Sequence, residues 1–374
     1  MKPNNPFLIS GYHSPEYFCD RIVESRTIAD ALYNGRNITL IAPRRMGKTG
    51  LIKNVFYNLK EQNPDIVTIY MDIYSTQNLN NFVLLMASSV LGKLDSTAQT
   101  VMSRVTKFIR SCRPVFTIDE ITGTPSVKLD TAMDCGESTL KEIFEYLASA
   151  DKRCYIAIDE FQQINEYPEN GIEALLRSYI QFTPNVNFIF SGSKQHVMQD
   201  MFLSAKRPFY QSTQTLPIDV INSELYYKFT EKFFKDKNLE FNRDAFDYIY
   251  NRFSGYTWYI LSLLNRMYSY NSDIKIETAD MAINEIVKES IYAYETLISA
   301  YTANNIALLK AISKEGIIAE ITSSNFITKH KLKAASSVRT SLTKLINKEL
   351  VYETSEGYII YDRFMNIWLS QQSF

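Results

Sequence analysis

A chain of 374 residues has room for two or three domains with their own cores, and 45% hydrophobic with 22% charged residues excludes a disordered or fibrous polymer. The formal net charge of −1 excludes global electrostatic steering toward nucleic acid or membrane, so any basic surface must be local. The cysteines (Cys19, Cys112, Cys135, Cys154) form no C-x-x-C pair and have no histidine at ligand spacing, which argues against zinc and a disulfide framework and suits a reducing cytosol.

The start, M-K-P-N-N-P-F-L-I-S-G, lacks the basic region and long apolar run of a signal peptide. No uncharged apolar run approaches the roughly 18 to 20 residues that span a bilayer, so the expected location is cytoplasmic. From about Asn37 to Leu216, short β-branched runs alternate with helical patterns. N-I-T-L-I-A (37–42) reads as a strand, and residues 51–60 as a helix with Leu51, Val55, Phe56 and Leu59 on one face. I-V-T-I-Y-M-D-I-Y (66–74) is the next strand, followed by a helix from about Leu79 to Leu91. Two strand-like runs around T-G-T-P, within 112–130, predict a hairpin inserted before a helix that starts near Ser138. Y-I-A-I-D-E (155–160) and V-N-F-I-F-S-G-S (186–193) are further apolar runs ending in polar residues. Such strands, separated by helices, predict a parallel sheet covered on both faces.

Strands stop after Leu216 and Pro217. Residues 223–294 are helical in pattern, with Ser223 as a cap candidate. From about Ala300 the pattern is three helices (305–313, 323–330, 335–348) and a two-stranded wing (350–362) closed by E-T-S-E-G. The predicted division is an α/β core over 1–217, a helical lid over 218–296 and a winged helix over 297–374.

A-P-R-R-M-G-K-T (42–49) lies between a predicted strand and a predicted helix, the context of the phosphate loop G-x-x-x-x-G-K-[ST]. Ala42 stands where that pattern has Gly. Backbone N–H groups of the loop and of the helix start would cradle phosphates, which makes Ala42, Pro43, Arg44, Arg45, Met46, Gly47, Lys48, Thr49 and Gly50 the candidate nucleotide-binding stretch. Lys48 would reach the β- and γ-phosphates, and the Thr49 hydroxyl would ligate Mg²⁺. The plainer alternative is a chance G-K-T in a basic loop.

In C-Y-I-A-I-D-E (154–160) the strand delivers Asp159 to hold the metal shell opposite Thr49, and Glu160 to orient or deprotonate the attacking water. Strands ending in acids are common, but beside a Lys-Thr loop each motif supports the other. In F-I-F-S-G-S (188–193), Ser191 and Ser193 either sense the γ-phosphate or simply end a strand at a turn. Arg44, Arg45, Arg177 and Arg207 are candidates for neutralising phosphoryl-transfer charge, and Arg177 equally suits a structural ion pair.

From Asn325 to Lys348 there are six basic residues (Lys329, Lys331, Lys333, Arg339, Lys344, Lys348) and no acid. They sit on the helices that carry the recognition surface in a DNA-reading winged helix, and S-S-V-R-T-S adds hydroxyls suited to phosphates. The wing is acidic (Glu353, Glu356), and winged helices also bind proteins, so both partner classes stay open.

Together these motifs resemble the archaeal-type P-loop ATPases of the STAND group, signal-transduction ATPases related to AAA+ proteins, over nearly the whole chain. F-C-D-R-I-V-E (18–24) is similar to the family's phenylalanine, glycine, arginine, glutamate box, which puts Asp20 and Arg21 among the nucleotide-binding candidates. The resemblance implies an ASCE-type P-loop NTPase with parallel sheet order 2-3-4-1-5, the sensor strand lying between the strands that carry Lys48 and Asp159. It also implies a lid turn of glycine, any residue and proline near the adenine; S-G-Y-T-W-Y (254–259) aligns there with Thr257 in place of proline. P-F-Y-Q-S-T (208–213) has no basic residue where the family has an arginine, and Arg207 lies just before it. The implied function is a Mg-ATP switch with slow, regulated hydrolysis, self-associating when ATP-bound and joined to a DNA- or protein-binding winged helix. The alternative expectation is a DNA-binding regulator or interaction adaptor whose nucleotide is structural and not turned over.

Overall fold

The computed structural model describes residues 2–94, 113–118, 125–130, 136–354 and 356–372. Its first elements are α1 (Ile22–Tyr33), β1 (Ile38–Ile41), α2 (Lys48–Gln62), β2 (Val67–Asp72) and α3 (Leu79–Leu94). The expected hairpin is present as β3 (Arg113–Ile118) and β4 (Pro125–Asp130), paired antiparallel. Then come α4 (Gly136–Ala148), β5 (Cys154–Asp159), α5 (Ile172–Ile180), β6 (Val186–Gly192), α6 (Gln195–Leu203) and β7 (Gln214–Pro217).

β1, β5 and β6 are buried at every position, because strands flank them in the sheet and helices cover both faces. Alternation divides their side chains between two cores. Ile156, Ile158, Phe188 and Phe190 join Phe82 and Met86 of α3 and Ile143 of α4. Ile38, Leu40, Tyr155, Ala157 and Ile189 face the other way, with Ile28 and Leu32 of α1 and Leu51, Ile52 and Val55 of α2.

The sheet order is β2-β5-β6-β1-β7, with all pairs parallel. Counted within this sheet alone, that is 2-3-4-1-5, and β6 lies between β1 and β5 as the resemblance implied. In register, Ile41 stands beside Gly192 and Asp72 beside Asp159, so the polar strand ends share one edge. Ligands of open α/β sheets bind outside the carboxyl ends of the strands, where the order reverses.

The helical part holds α7 (Ser223–Lys235), α8 (Arg243–Arg252), α9 (Thr257–Ser269) and α10 (Ile276–Ser299). It continues with α11 (Ala303–Glu315), α12 (Ser324–Lys329), α13 (Ala335–Asn347), β8 (Val351–Thr354), β9 (Gly357–Ile360) and α14 (Arg363–Ser370). The chain packs as two units: Met1–Tyr226 with Tyr256–Trp258, and Tyr227–Gly255 with Tyr259–Phe374. In the second unit, Phe253, Tyr259 and Phe364 form an aromatic cluster, and the Tyr259 hydroxyl donates to Tyr361 O and accepts from Arg363 N, both at 3.2 Å.

Two local expectations need correction. The α7 start is capped by Asn222, whose side chain accepts from Glu224 N at 3.0 Å and Leu225 N at 3.3 Å; Ser223 is already inside the helix. The chain also adds α14 after the wing, where Asp362 accepts from Phe364 N and Met365 N, and Phe364 and Trp368 are buried. The acid cap followed by an apolar run was the readable signal. Among the described residues, no helix is long and apolar enough to cross a membrane.

Candidate functional site

The loop after β1 answers the question raised by Ala42. That residue has no positive φ, and its side chain is buried in the same core as Met46 and Leu51, so a Cβ is accommodated. Gly47 is different: φ is +88° and it forms the N-cap of α2, a conformation an L side chain rarely adopts. Arg45 also takes a left-handed conformation, at φ 68°. Its guanidinium lies 4.1 Å from the ring centroid of Trp258, whose backbone N–H donates to Arg45 O at 3.0 Å.

Lys48 is 6% exposed and folds back over the loop, its Nζ donating to Ala42 O at 2.9 Å and Pro43 O at 3.0 Å. Burial lowers its pKa, with the Glu160 and Asp159 charges opposing. The next residue, Thr49, donates its hydroxyl to Asp159 Oδ2 at 2.7 Å.

Asp159, 4% exposed, is the centre of a saturated cluster. Its Oδ2 also accepts from the Tyr70 hydroxyl at 2.7 Å, while Oδ1 accepts from Ser191 Oγ at 2.7 Å and Glu160 N at 3.1 Å. Burial, then the charge of Asp159, pushes the Tyr70 phenol well up, which keeps it a donor. Sequence reasoning missed Tyr70, because only the β2–β5 pairing brings that strand beside Asp159.

Glu160 sits in a left-handed conformation at φ 57°, capping the 3-10 turn Phe161–Glu166. Its Oε2 accepts from Ser193 Oγ at 2.7 Å and from Gln162 Nε2. Gln162 fits because residue 192 is glycine; a Cβ there would collide with Gln162 Oε1 and the Met198 side chain. Asp72, beside Asp159 in register, was also missed. Burial, with the Asp159 and Glu160 charges, raises its pKa against the opposing hydrogen bond from Tyr74 N.

The box before the loop touches the loop itself. Asp20 and Arg21 take φ of 52° and 64°, and aspartate tolerates that conformation where the family has glycine. Arg21 Nη2 donates to Met46 O at 3.3 Å, and its Nη1 bonds Glu24 at 2.7 Å. Thr257 lies against the loop, with its methyl 3.8 Å from the Cβ position of Gly47 and its carbonyl accepting from the Tyr226 hydroxyl at 3.4 Å.

The remaining arginine candidates sit apart from this bonding. Arg207 is held by Glu173, by Asp200 at 3.4 Å and by Asn165 at 2.9 Å, and Arg177 is exposed on α5. In the second unit, Arg339, Lys344 and Lys348 are exposed, and Lys344 and Lys348 line an open groove with Thr340, Thr343 and Asn347. Lys331 and Lys333 are exposed too, whereas Lys329 is neutralised by Glu315 at 2.6 Å.

Residues 18–263 match the family described as an ATPase domain predominantly from Archaea. The chain belongs to this ATPase family. Residues 292–371 of the ATPase match a second family, described as a probable winged helix domain. No curated protein matches its sequence. Among solved structures, the ATPase is similar to the Walker-type ATPase PABY2304 of Pyrococcus abyssi, at 17% identity and TM-score 0.65, covering 97% of this chain and 99% of that one. It is also similar to the Aeropyrum pernix ORC2 protein, solved as ADPNP-ADP complexes, at 14% identity and TM-score 0.59, covering 98% and 96% of the two chains. The Aeropyrum pernix ORC1 protein, solved in complex with DNA, is similar at 12% identity and TM-score 0.58, with 98% and 96% covered. At these identities the likeness is one of fold: a P-loop ATPase sheet followed by helices and a winged helix.

Proposed function

We propose that this ATPase is a Mg-ATP-binding switch with slow, regulated hydrolysis, built from a core over 1–217, a lid over 218–296 and a winged helix over 297–374. The observation that carries the reading is the Thr49–Asp159 hydrogen bond at 2.7 Å beside the buried Lys48. Because Thr49 donates its proton to Asp159, its oxygen keeps its lone pairs for Mg²⁺. Asp159, whose own oxygens already accept four neutral donors, would hold the ion's shell; the donor set fits a hard cation. When bound, the ion would neutralise charge on the transferring phosphoryl group.

The chain's own residues do the rest. Loop N–H groups from Arg44 to Gly50 bind phosphate oxygens, and Lys48 exchanges the Ala42 and Pro43 carbonyls for phosphate. Asp20 and Arg21 shape the loop from behind, and Ser191 keeps Asp159 oriented. Thr257 borders the nucleotide from the lid turn. Glu160 orients or deprotonates the attacking water.

The winged helix is read as a DNA contact. Lys331, Lys333, Arg339, Lys344 and Lys348 are exposed in a stretch, 325–348, that carries no acid, and the ORC1 neighbour was solved with DNA. Among the described residues, the free thiols Cys19 and Cys154 are buried, which suits a cytoplasmic setting. A structural nucleotide that is never consumed is the second reading, favoured by the engagement of Arg207 with Glu173 and by the lack of a basic residue in 208–213.

Equilibrium binding and turnover of the full chain test this. Saturable Mg-ATP binding is expected, lost in Lys48→Ala; Glu160→Gln should keep binding while turnover falls about 100-fold or more. Absence of binding at millimolar ATP would sink the proposal. Nucleotide that co-purifies and is never consumed selects the second reading.

A further inference from the structure

We propose that Arg44 is a positioning residue for Glu160, acting through the Ser193 hydroxyl. This rests on the reading of Glu160 as the group that handles the attacking water. Arg44 Nε lies 3.3 Å from Ser193 Oγ, and Ser193 Oγ lies 2.7 Å from Glu160 Oε2. A serine hydroxyl has one proton to give, and arginine and a carboxylate leave no choice of direction. Arg44 donates to Ser193, and Ser193 donates to Glu160. The guanidinium charge polarises the hydroxyl and strengthens its bond to the carboxylate, as chained hydrogen bonds do.

Three surrounding features hold the chain of donors in place. Arg44 is half-buried, with its guanidinium 5.5 Å from the ring centroid of Tyr74, just past β2. Gln162 Nε2 bonds the same Glu160 oxygen, in the space left by the missing side chain of Gly192. The left-handed backbone of Glu160 fixes where its carboxylate starts.

The consequence is a mechanical link. Arg44 belongs to the loop that would cradle phosphates, whereas Ser193 follows β6 and Glu160 follows β5. A shift of the loop on nucleotide entry reaches Glu160 through one hydroxyl. Binding and hydrolysis are thereby coupled without the Arg44 guanidinium touching a phosphate.

The test compares Arg44→Ala, Arg44→Lys, Ser193→Ala and the double variant Arg44→Ala/Ser193→Ala in the full chain. It uses single-turnover ATP hydrolysis and equilibrium titration with a fluorescent ATP analogue, and melting curves confirm folding. Arg44→Ala and Ser193→Ala should each slow turnover about tenfold, with nucleotide affinity within about twofold of wild type. The double variant should be no slower than either single one, since both cut the same chain of donors. Arg44→Lys keeps the charge but lacks the Nε–H, so it should not restore turnover. Affinity that falls tenfold in Arg44→Ala and returns in Arg44→Lys makes the Arg44 side chain a phosphate ligand and overturns the proposal. Additive losses in the double variant overturn it as well. If wild type binds nucleotide without turning it over, the hydrolytic reading fails on its own, and the affinity of Arg44→Ala still decides whether Arg44 serves the phosphates. A misfolded Arg44→Ala leaves Ser193→Ala, where unchanged turnover is equally fatal.

Discussion

The carboxyl edge of the central sheet and the exposed face of α13 are both polar, and they are polar in opposite ways. At the sheet edge Asp159 is enclosed, and each lone-pair side of its carboxylate is taken by donors: Thr49, Tyr70 and Ser191 from other segments and the N–H of the following Glu160. On α13 the Thr340 and Thr343 hydroxyls bond back to Ser336 O and Arg339 O, each at 3.1 Å, and the charged groups stand in solvent. A buried polar cluster is favourable only while every member is satisfied, so its parts depend on one another. Exposed charges act nearly independently and are screened by salt.

The largest effect should follow from Asp159→Ala. It leaves the Thr49, Tyr70 and Ser191 hydroxyls and the Glu160 N–H without their shared acceptor, and a loss of roughly 3 kcal/mol or more is expected in denaturant unfolding. A loss well under about 1 kcal/mol would mean that the cluster rearranges freely, and the contrast with α13 would collapse.

Replacing Arg339, Lys344 and Lys348 together by Gln should leave melting temperature and nucleotide affinity unchanged. In a titration with duplex DNA, the slope of log affinity against log salt should fall by roughly 0.9 per lost phosphate contact. An unaltered slope would remove DNA from this face and leave a protein partner.

The smallest effect sharpens the electrostatics of the sheet edge. The Asp72 carboxyl is raised by burial and by its acidic neighbours, so the folded chain holds that proton more tightly than the unfolded chain does. Its stabilising contribution is therefore full below the ordinary carboxylate pKa of about 3.9 and is lost as pH rises through the raised value. Asp72→Asn keeps an acceptor for Tyr74 N and removes the charge. Asp72 is exposed and solvent screens its charge, so the variant should melt only about a degree above wild type near pH 7, with the gap closing as pH falls through the raised value and gone below about 4. A gap that ignores pH would place the effect in packing rather than charge.

Much of this molecule is legible in one dimension. The apolar runs of β1, β2, β5 and β6, the G-K-T after β1, the D-E after β5 and the helical periodicity of α2 and α3 all lie within short windows. The chain order of the wing and its helices was equally readable. What escaped was either a local competition or a contact across the sheet. Asn222 and Ser223 both suit a helix cap, and only the geometry of the Glu224 and Leu225 N–H groups selects Asn222.

Local periodicity and motif spacing were thus enough to mark the strands β1, β2, β5 and β6, the loop that meets α2, and Lys48, Thr49, Asp159 and Glu160 as candidates for one site. They did not reveal that Tyr70 donates to Asp159, that Arg44 reaches Glu160 through Ser193, or that Arg207 is held by Glu173. The reason is physical. In a parallel sheet, neighbouring strands are joined by long crossovers, so the side chains that meet at its edge come from distant segments, and the strand order and register decide who meets whom.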